Sequence, residues 1–222
     1  MGYSFTVGLD LGQVNDFSAL AVVERVRVLP PGVSVQDYMI RRERGMVPEA
    51  VEELRVRHLQ RWALGTPYPD LVDEVCALMA SDELRAAWLF VDGTGVGVAV
   101  KDLFQAAYLG RRMGRNWPVT VTITGGEKGT GYHLPKRDLL SAVQVPLQQE
   151  RLKISAGLAL GPVLERELTS FRMKLSAAGH DSYDVVRREG EGHGDLVIAL
   201  ALACRWPSLS VEPALEESRE VG

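Results

Sequence analysis

The first part of the chain alternates apolar runs with polar breaks in a pattern typical of β-strands. Residues 3–10 form a short apolar run, and residues 18–28 return as a second run rich in β-branched side chains. Because only a polar turn at 13–16 separates the two runs, we expect an antiparallel hairpin. A Pro-Pro-Gly break at 30–32 precedes a third segment, 34–44, which we interpret as another strand. The chain is therefore predicted to begin with a three-stranded meander.

Beyond residue 65, helical and strand-like patterns alternate. The spacing of apolar residues predicts helices over 70–81, 98–109, 135–150, 162–175 and 193–205, and strands over 87–92, 119–124, 153–154 and 182–187. Residues 48–64 carry a weaker helical pattern, which we interpret as a loop or lid outside the core. A meander followed by this alternation predicts one α/β domain with a mixed sheet over residues 3–207. The Glu- and Ser-rich tail, 208–222, is expected to be disordered.

Three of these elements end or begin on an aspartate. Asp10 ends the first strand, Asp92 ends the strand over 87–92, and Asp195 lies at the start of the last helix. Apolar strands do not normally end in ionised carboxylates, because a buried unpaired charge is costly or is neutralised by a pKa shift. Three such acids, far apart in sequence, are explained if they converge on divalent metal ions. The alternative is structural: turn or capping aspartates after the strands, and a helix N-cap at Asp195.

Composition and charge narrow the class of protein. The chain has 222 residues, of which 46% are hydrophobic and 24% charged, as in ordinary globular proteins. No stretch approaches the roughly 18 apolar residues that a membrane span needs, so we expect a cytoplasmic protein without a membrane partner. Cys76 and Cys204 lie in apolar, helix-like surroundings and are predicted to be buried free thiols. The net charge of −4 argues against avid, purely electrostatic binding of nucleic acid, so local basic patches become the candidates for phosphate contacts.

Four segments place acids and glycines at the ends of the predicted elements. They are Gly8-Leu-Asp10 with Asp16-Phe-Ser-Ala-Leu20, Val91-Asp-Gly-Thr-Gly-Val-Gly97, Leu134-Pro-Lys-Arg-Asp-Leu139, and His193-Gly-Asp-Leu-Val-Ile-Ala-Leu-Ala-Leu-Ala203. In this order the segments resemble the nuclease domain of the large terminase subunit of tailed phages, over nearly all of residues 4–206. The resemblance implies a ribonuclease H-like α/β fold, with a mixed sheet of five or slightly more strands flanked by helices.

The resemblance also implies an activity, the metal-dependent cleavage of double-stranded DNA with little sequence specificity during phage genome packaging. Asp10, Asp92 and Asp195 then ligate two divalent ions, Mg²⁺ or Mn²⁺, which are hard ions that prefer oxygen ligands. In such a site one ion activates water and the other stabilises the departing 3′ oxygen. Asp16 and His193 are expected as accessory residues of this site. The expected DNA contacts are Lys128, Lys136 and Arg137.

The expected partners, besides double-stranded DNA, are the terminase ATPase domain, the small terminase subunit and the portal, all in the host-cell cytoplasm. The chain contains no Walker A sequence. We therefore expect the motor elsewhere, whether this chain is an excised domain or a gene product without a motor.

One position departs from the family. The family commonly has two adjacent acids after the histidine, and Gly194 stands in place of the first. This departure leaves open a second interpretation, a weak or inactive nuclease-like domain that binds DNA or a packaging partner. A third is an actin-like or sugar-kinase-type ATPase, because that class also has a Gly-x-Asp-x-Gly turn, here at 8–12. Such proteins need a second, duplicated domain, for which 222 residues leave no room.

Overall fold

Eight strands and six helices make up the part of the chain that the structure describes. The computed structural model describes residues 4–12, 16–46, 49–95, 98–114, 117–125, 131–177, 194–206 and 214–216. The strands are β1 (Ser4–Asp10), β2 (Ala19–Val28), β3 (Val51–Arg61), β4 (Trp88–Asp92), β5 (Val119–Thr124), β6 (His133–Pro135), β7 (Leu152–Ile154) and β8 (Ala214–Glu216). The helices are α1 (Val35–Glu43), α2 (Tyr68–Met79), α3 (Val98–Leu109), α4 (Lys136–Gln148), α5 (Gly161–Ala177) and α6 (Asp195–Arg205).

All eight strands belong to one mixed sheet. Its order is β6-β5-β4-β1-β2-β3-β7, and β8 pairs with β2 outside this path. The meander β1-β2-β3 is antiparallel, whereas β4 pairs in parallel with β1, and β5 with β4. Along β2 the pairing with β1 begins at Arg25, and β8 pairs with the remaining stretch, Val26 to Val28. The predicted mixed α/β sheet is confirmed, and it is larger than five strands.

Helices cover the sheet on both faces, giving two hydrophobic cores. On one face α2 and α3 pack against β1, β2 and β4, with side chains such as Leu9, Leu71 and Leu89 fully buried. On the other face α4, α5 and α6 pack against β2, β3, β4 and β5. The central element of this second core is α6, in which every residue from Asp195 to Cys204 is buried. All three aspartates of the predicted metal site lie on this second face of the sheet.

The helix α6 lies directly against β1 because Gly8 has no side chain. A Cβ added at Gly8 would lie 2.0 Å from the carbonyl oxygen of Ala199 and 2.7 Å from the nitrogen of Ala203. Two residues earlier on the strand, the Thr6 hydroxyl donates a 2.7 Å hydrogen bond to the Ala203 carbonyl. These contacts fix both the distance and the direction of α6 relative to β1.

Two sequence-based assignments in the meander are wrong. The segment 34–44, predicted to be a strand, contains the helix α1. Its first turn is stabilised by Ser34, whose hydroxyl accepts a 3.0 Å hydrogen bond from the Asp37 backbone N–H. The segment 48–64, interpreted as a loop or lid, contains β3, which is the third strand of the meander and part of the core. The meander exists, but with a helix inserted before its last strand.

A β-bulge explains why β3 did not have a strand-like pattern. Val22 pairs with His58 and Val23 pairs with Val56, so Arg57 is an extra residue in β3. The residues buried on the α6 face are therefore Leu54 and Val56 before the bulge and Leu59 after it. The break in the two-residue period made the segment look weakly helical.

The remaining predictions can be compared element by element. The five predicted helices are confirmed with shifts of a few residues, as are three of the later strands, and β6 was not predicted. The predicted strand at 182–187 lies outside the described residues. The expectation of a disordered tail does not hold for residues 214–216, which form β8.

Both cysteines are buried free thiols, as predicted. Among the helices that the structure describes, none has the length and apolar character that a bilayer crossing needs.

Candidate metal-binding active site

Asp10 and Asp92 lie side by side at the carboxyl ends of two neighbouring parallel strands. In the ladder between β1 and β4, Leu9 pairs with Val91, so the next residue of each strand is one of the two aspartates. Asp10 has the same strand parity as Thr6 and Gly8, which contact α6. Asp92 has the parity of Phe90, which is buried in the core that contains α6. Both carboxylates are therefore on the α6 face of the sheet.

The geometry of α6 brings Asp195 to the same end of the sheet. Ala203 lies against Thr6, and Ala199 lies against Gly8. Four residues of helix and two residues of strand both span about 6 Å. One further step along each element places Asp195 next to Asp10.

The electrostatics of Asp10 indicate that acids from several parts of the fold are close to one another. The pKa of Asp10 is raised well above its usual value, first by burial and then by the negative charges of Asp92, Asp195, Asp16 and Glu167. We call these five residues the carboxylate cluster. Neighbouring negative charges disfavour the ionisation of each further carboxyl group unless cations neutralise them.

Asp92 is stabilised by its own turn and by a lysine. Its Oδ1 accepts a 2.8 Å hydrogen bond from the Thr94 backbone N–H. Burial raises the pKa of Asp92, while the hydrogen bonds from Thr94 and the positive charge of Lys136 lower it. Lys136 is the first residue of α4, so a cation flanks the cluster on its β4 side.

Glu167, which sequence reasoning missed, belongs to the cluster from α5. Its Oε2 accepts hydrogen bonds from the backbone N–H groups of Leu196 and Val197, at 3.1 and 3.2 Å. The carboxylate thereby caps the N-terminus of α6, where Gly194 offers no side chain. Burial raises the pKa of Glu167 to about 7, although Arg61 and the two backbone N–H groups oppose the shift. One signal was available in the sequence, because Glu167 falls on the apolar stripe of its helix, three residues after the buried Leu164.

Arg61, also missed, supplies the second cation next to the cluster. It is the last residue of β3, and its Nη2 donates a hydrogen bond to Glu167 Oε1 and lies 3.7 Å from Asp195 Oδ2. The bulge at Arg57 decides this orientation: without the extra residue, Gln60 rather than Arg61 would share the face of Leu54 and Val56. No sequence pattern indicated the bulge, so nothing pointed to Arg61.

The cluster fits a hard divalent cation in chemistry and in charge. All of its ligating atoms are carboxylate oxygens, which Mg²⁺ and Mn²⁺ prefer, and five acids face two cations, Arg61 and Lys136. Among the described residues, however, no three His, Cys, Asp or Glu side chains already have their ligating atoms close enough to hold an ion. The acids are thus close enough to affect one another's pKa, and side-chain rotations would be needed for three of them to bind one ion.

The other predicted site residues have different outcomes. Asp16 lies close enough to contribute its charge at Asp10, and Arg137 is exposed beside Lys136 at the start of α4. His193 and Lys128 lie outside the described residues. Gly194, the position where the family commonly has an acid, has φ +88°, a left-handed conformation that favours glycine. The local backbone therefore accounts for glycine at this position.

The arrangement of strands and helices matches solved structures of viral nucleases. The large-terminase nuclease from the thermophilic phage G20c aligns with a TM-score of 0.52 and 18% identity, over 90% of this chain and 81% of that chain. The chain has the fold of a terminase nuclease domain. The predicted ribonuclease H-like fold is thereby confirmed.

Two further terminase nuclease structures align less well. The terminase nuclease domain of human cytomegalovirus has a TM-score of 0.49 and 13% identity, over 91% of this chain and 82% of that chain. The nuclease domain of the bacteriophage SPP1 large terminase, solved with bound Mn, has a TM-score of 0.45 and 11% identity, over 90% and 84%. No protein-family model matches the sequence, and a search of curated proteins finds no match. The likeness to terminase nucleases therefore concerns the fold.

Proposed function

We propose that this chain is a metal-dependent endonuclease that cleaves double-stranded DNA with little sequence specificity, as the nuclease part of a phage genome-packaging machine. The main support is the environment of Asp10, whose pKa is raised by burial and by four neighbouring carboxylates. Such a concentration of negative charge at the ends of the central strands is costly unless it binds cations. The fold of the phage G20c nuclease supports the same function.

In this proposal Asp10, Asp92 and Asp195 hold Mg²⁺ or Mn²⁺. Two divalent ions in such a site supply activation of water and stabilisation of the leaving 3′ oxygen of a phosphodiester. The chain's own contribution is to hold the ligands in place. Parallel pairing of β1 and β4 fixes Asp10 beside Asp92, and the contact at Gly8 fixes α6 and hence Asp195. Asp16 and His193 remain proposed accessory residues.

The DNA backbone is proposed to lie across the N-terminus of α4. Lys136 is close enough to Asp92 to lower its pKa, and the exposed Arg137 follows it. A helix N-terminus with two basic residues favours a phosphate group. Lys128 is proposed to extend this contact. Because phosphate contacts carry no sequence information, cleavage is expected to be independent of sequence and weakened by salt.

The proposed partners are those of the packaging machine. They are a terminase ATPase domain, a small terminase subunit and a portal, with the ATPase contributing to the grip on DNA. The net charge of −4 is consistent with weak DNA binding by this chain alone.

A plasmid-nicking assay tests the function directly. Supercoiled DNA is incubated with the protein in Mg²⁺, in Mn²⁺ and in EDTA, and the ends of the products are sequenced. With at least one of the two ions we expect nicked and then linear DNA, whose ends are spread over the plasmid. In EDTA we expect no cleavage. DNA binding without cleavage in either ion would instead support a nuclease-like binding module, and ends at one short recognition sequence would contradict the proposed lack of specificity.

A further inference from the structure

We infer that Arg61 limits how many divalent ions the carboxylate cluster holds, because its guanidinium group occupies the cation position between Glu167 and Asp195. This inference rests on the proposed metal-dependent function. It adds a residue that decides the affinity for a second ion.

The contacts of Arg61 are those of an internal counter-cation. Its Nη2 donates a hydrogen bond to Glu167 Oε1 and lies 3.7 Å from Asp195 Oδ2, so one nitrogen faces acids from both α5 and α6. The side chain of Arg61 is 16% exposed, and those of Glu167 and Asp195 are 9% and 5% exposed. At these depths the attraction between charges is weakly screened. The guanidinium group thus neutralises the α5–α6 side of the cluster.

On the opposite side of the cluster, Lys136 is a cation beside Asp92, but none of the charges that shift the pKa of Asp10 is positive. The charges that act on Asp10 are those of four carboxylates, and Lys136 acts on Asp92. The side of the cluster around Asp10 and Asp92 is therefore where a first divalent ion gains most. A second ion, placed between Glu167 and Asp195, must compete with Arg61. Because an arginine stays charged at any physiological pH, deprotonation cannot remove this competitor.

Only one part of the guanidinium group is held by the acids. Within the described residues, Arg61 Nε is buried and makes no hydrogen bond. The group lies over the ring of Phe17, with Cζ 4.7 Å from the ring centroid. Withdrawal of Arg61 from the acids therefore breaks few hydrogen bonds and leaves the aromatic contact as a guide for the side chain.

Calorimetric titration with Mn²⁺, without DNA, tests the competition in wild type and in Arg61→Gln. We expect Arg61→Gln to bind the second ion about tenfold more tightly or better, since a close positive charge is removed. Its metal-free melting temperature should fall, because the buried acids lose their counter-cation. A purely structural role for Arg61 would lower Mn²⁺ affinity together with stability. Arg57→Gln is the matched control. Arg57 is on the same strand as Arg61 and half exposed, and it pairs with Glu24 of β2, which is not part of the carboxylate cluster. The Mn²⁺ affinity of Arg57→Gln should therefore equal that of wild type.

A measurement on the wild-type protein avoids dependence on the folding of the variant. In a Mg²⁺ titration followed by NMR, the Arg61 Nε–H resonance should shift as the second ion binds, whereas that of Arg57 should not. An Arg61 resonance that does not change while a second Mg²⁺ binds, or Mn²⁺ affinity in Arg61→Gln equal to or below that of wild type, overturns the inference. If neither protein binds Mn²⁺ at all, the metal-dependent function fails as well, so the two failures can be distinguished.

Discussion

Asp10 is the residue whose carboxyl group lies close to the negative charges of the other acids of the cluster. Its carboxyl is affected by four other acids, so its ionised form is destabilised in the metal-free protein. An isosteric neutral side chain at this position relieves that repulsion but removes a proposed metal ligand. Stability and activity should therefore respond to the same substitution in opposite directions.

We expect Asp10→Asn to abolish DNA nicking, with a loss of several orders of magnitude, while the metal-free melting temperature stays level or rises. Added Mn²⁺ should raise the melting temperature of the wild type more than that of the variant, because a ligand that binds only the folded state stabilises it in proportion to its affinity. Nicking assays and thermal melts with and without Mn²⁺ check this. A variant that nicks at the wild-type rate would remove Asp10 from the catalytic set.

Glu167 makes the stability of the metal-free protein depend on pH. Its pKa rises from an ordinary value of 4.5 to about 7 on folding, so the folded state binds a proton more readily than the unfolded state. Its contribution to stability is then complete below pH 4.5 and is lost as the pH rises through about 7. In EDTA, the melting temperature of wild type should fall between about pH 5 and 8 relative to that of Glu167→Gln, which cannot ionise. A temperature difference between the two proteins that is constant over this range would contradict the assignment.

At the scale of elements, β1 and α6 lie in direct backbone contact at Gly8. A methyl group at Gly8 would meet the backbone of α6 at 2.0 Å, and a backbone cannot move aside as a flexible side chain can. The helix must then shift, and Asp195 moves with it. Packing and the proposed catalysis are therefore coupled through one glycine.

We expect Gly8→Ala to destabilise the protein by about 3 kcal/mol, or to prevent folding, since added bulk in a tight core typically costs about 1–3 kcal/mol. Gly125→Ala is the control, because no heavy atom of the described residues lies within 4 Å of its added Cβ; it should change stability by less than about 0.5 kcal/mol. Urea denaturation compares the two variants. Equal stabilities would show that the approach of α6 to β1 is looser than described.

The same elements show what the sequence can and cannot predict. An apolar run ending in an acid is visible in the residues themselves, so Asp10, Asp92 and Asp195 could be singled out from the sequence alone. The helix α1 had a readable signal, the Ser34 to Asp37 cap, which the strand assignment did not take into account. The strand β3 did not, because its bulge depends on pairing with β2. Arg61 and Glu167 reach the site only through that pairing and through the packing of α5 on α6, which are tertiary facts.

At the scale of the molecule, two helical layers enclose one sheet, and the proposed chemistry lies at one end of only one layer. The basic residues of α4 approach this end from one side, and Arg61 approaches from the other. The opposite face, covered by α2 and α3, contains a separate apolar core. That core packs against β1 and β4 on the face opposite the two aspartates. The strands that carry Asp10 and Asp92 are therefore supported there by uncharged side chains.

The hydrogen bond from Thr6 to Ala203 joins positions 197 residues apart, and this distance along the chain has a consequence for protein synthesis. A nascent chain that has left the ribosome as far as β5 contains Asp10 and Asp92 but neither Glu167 nor Asp195. The core on the α6 face also lacks its central helix at that stage, so β1 has no partner on that face. Long-range contacts of this kind form late. The residues of the proposed site can therefore come together only after α6 has been synthesised, because Asp195 is the first residue of that helix.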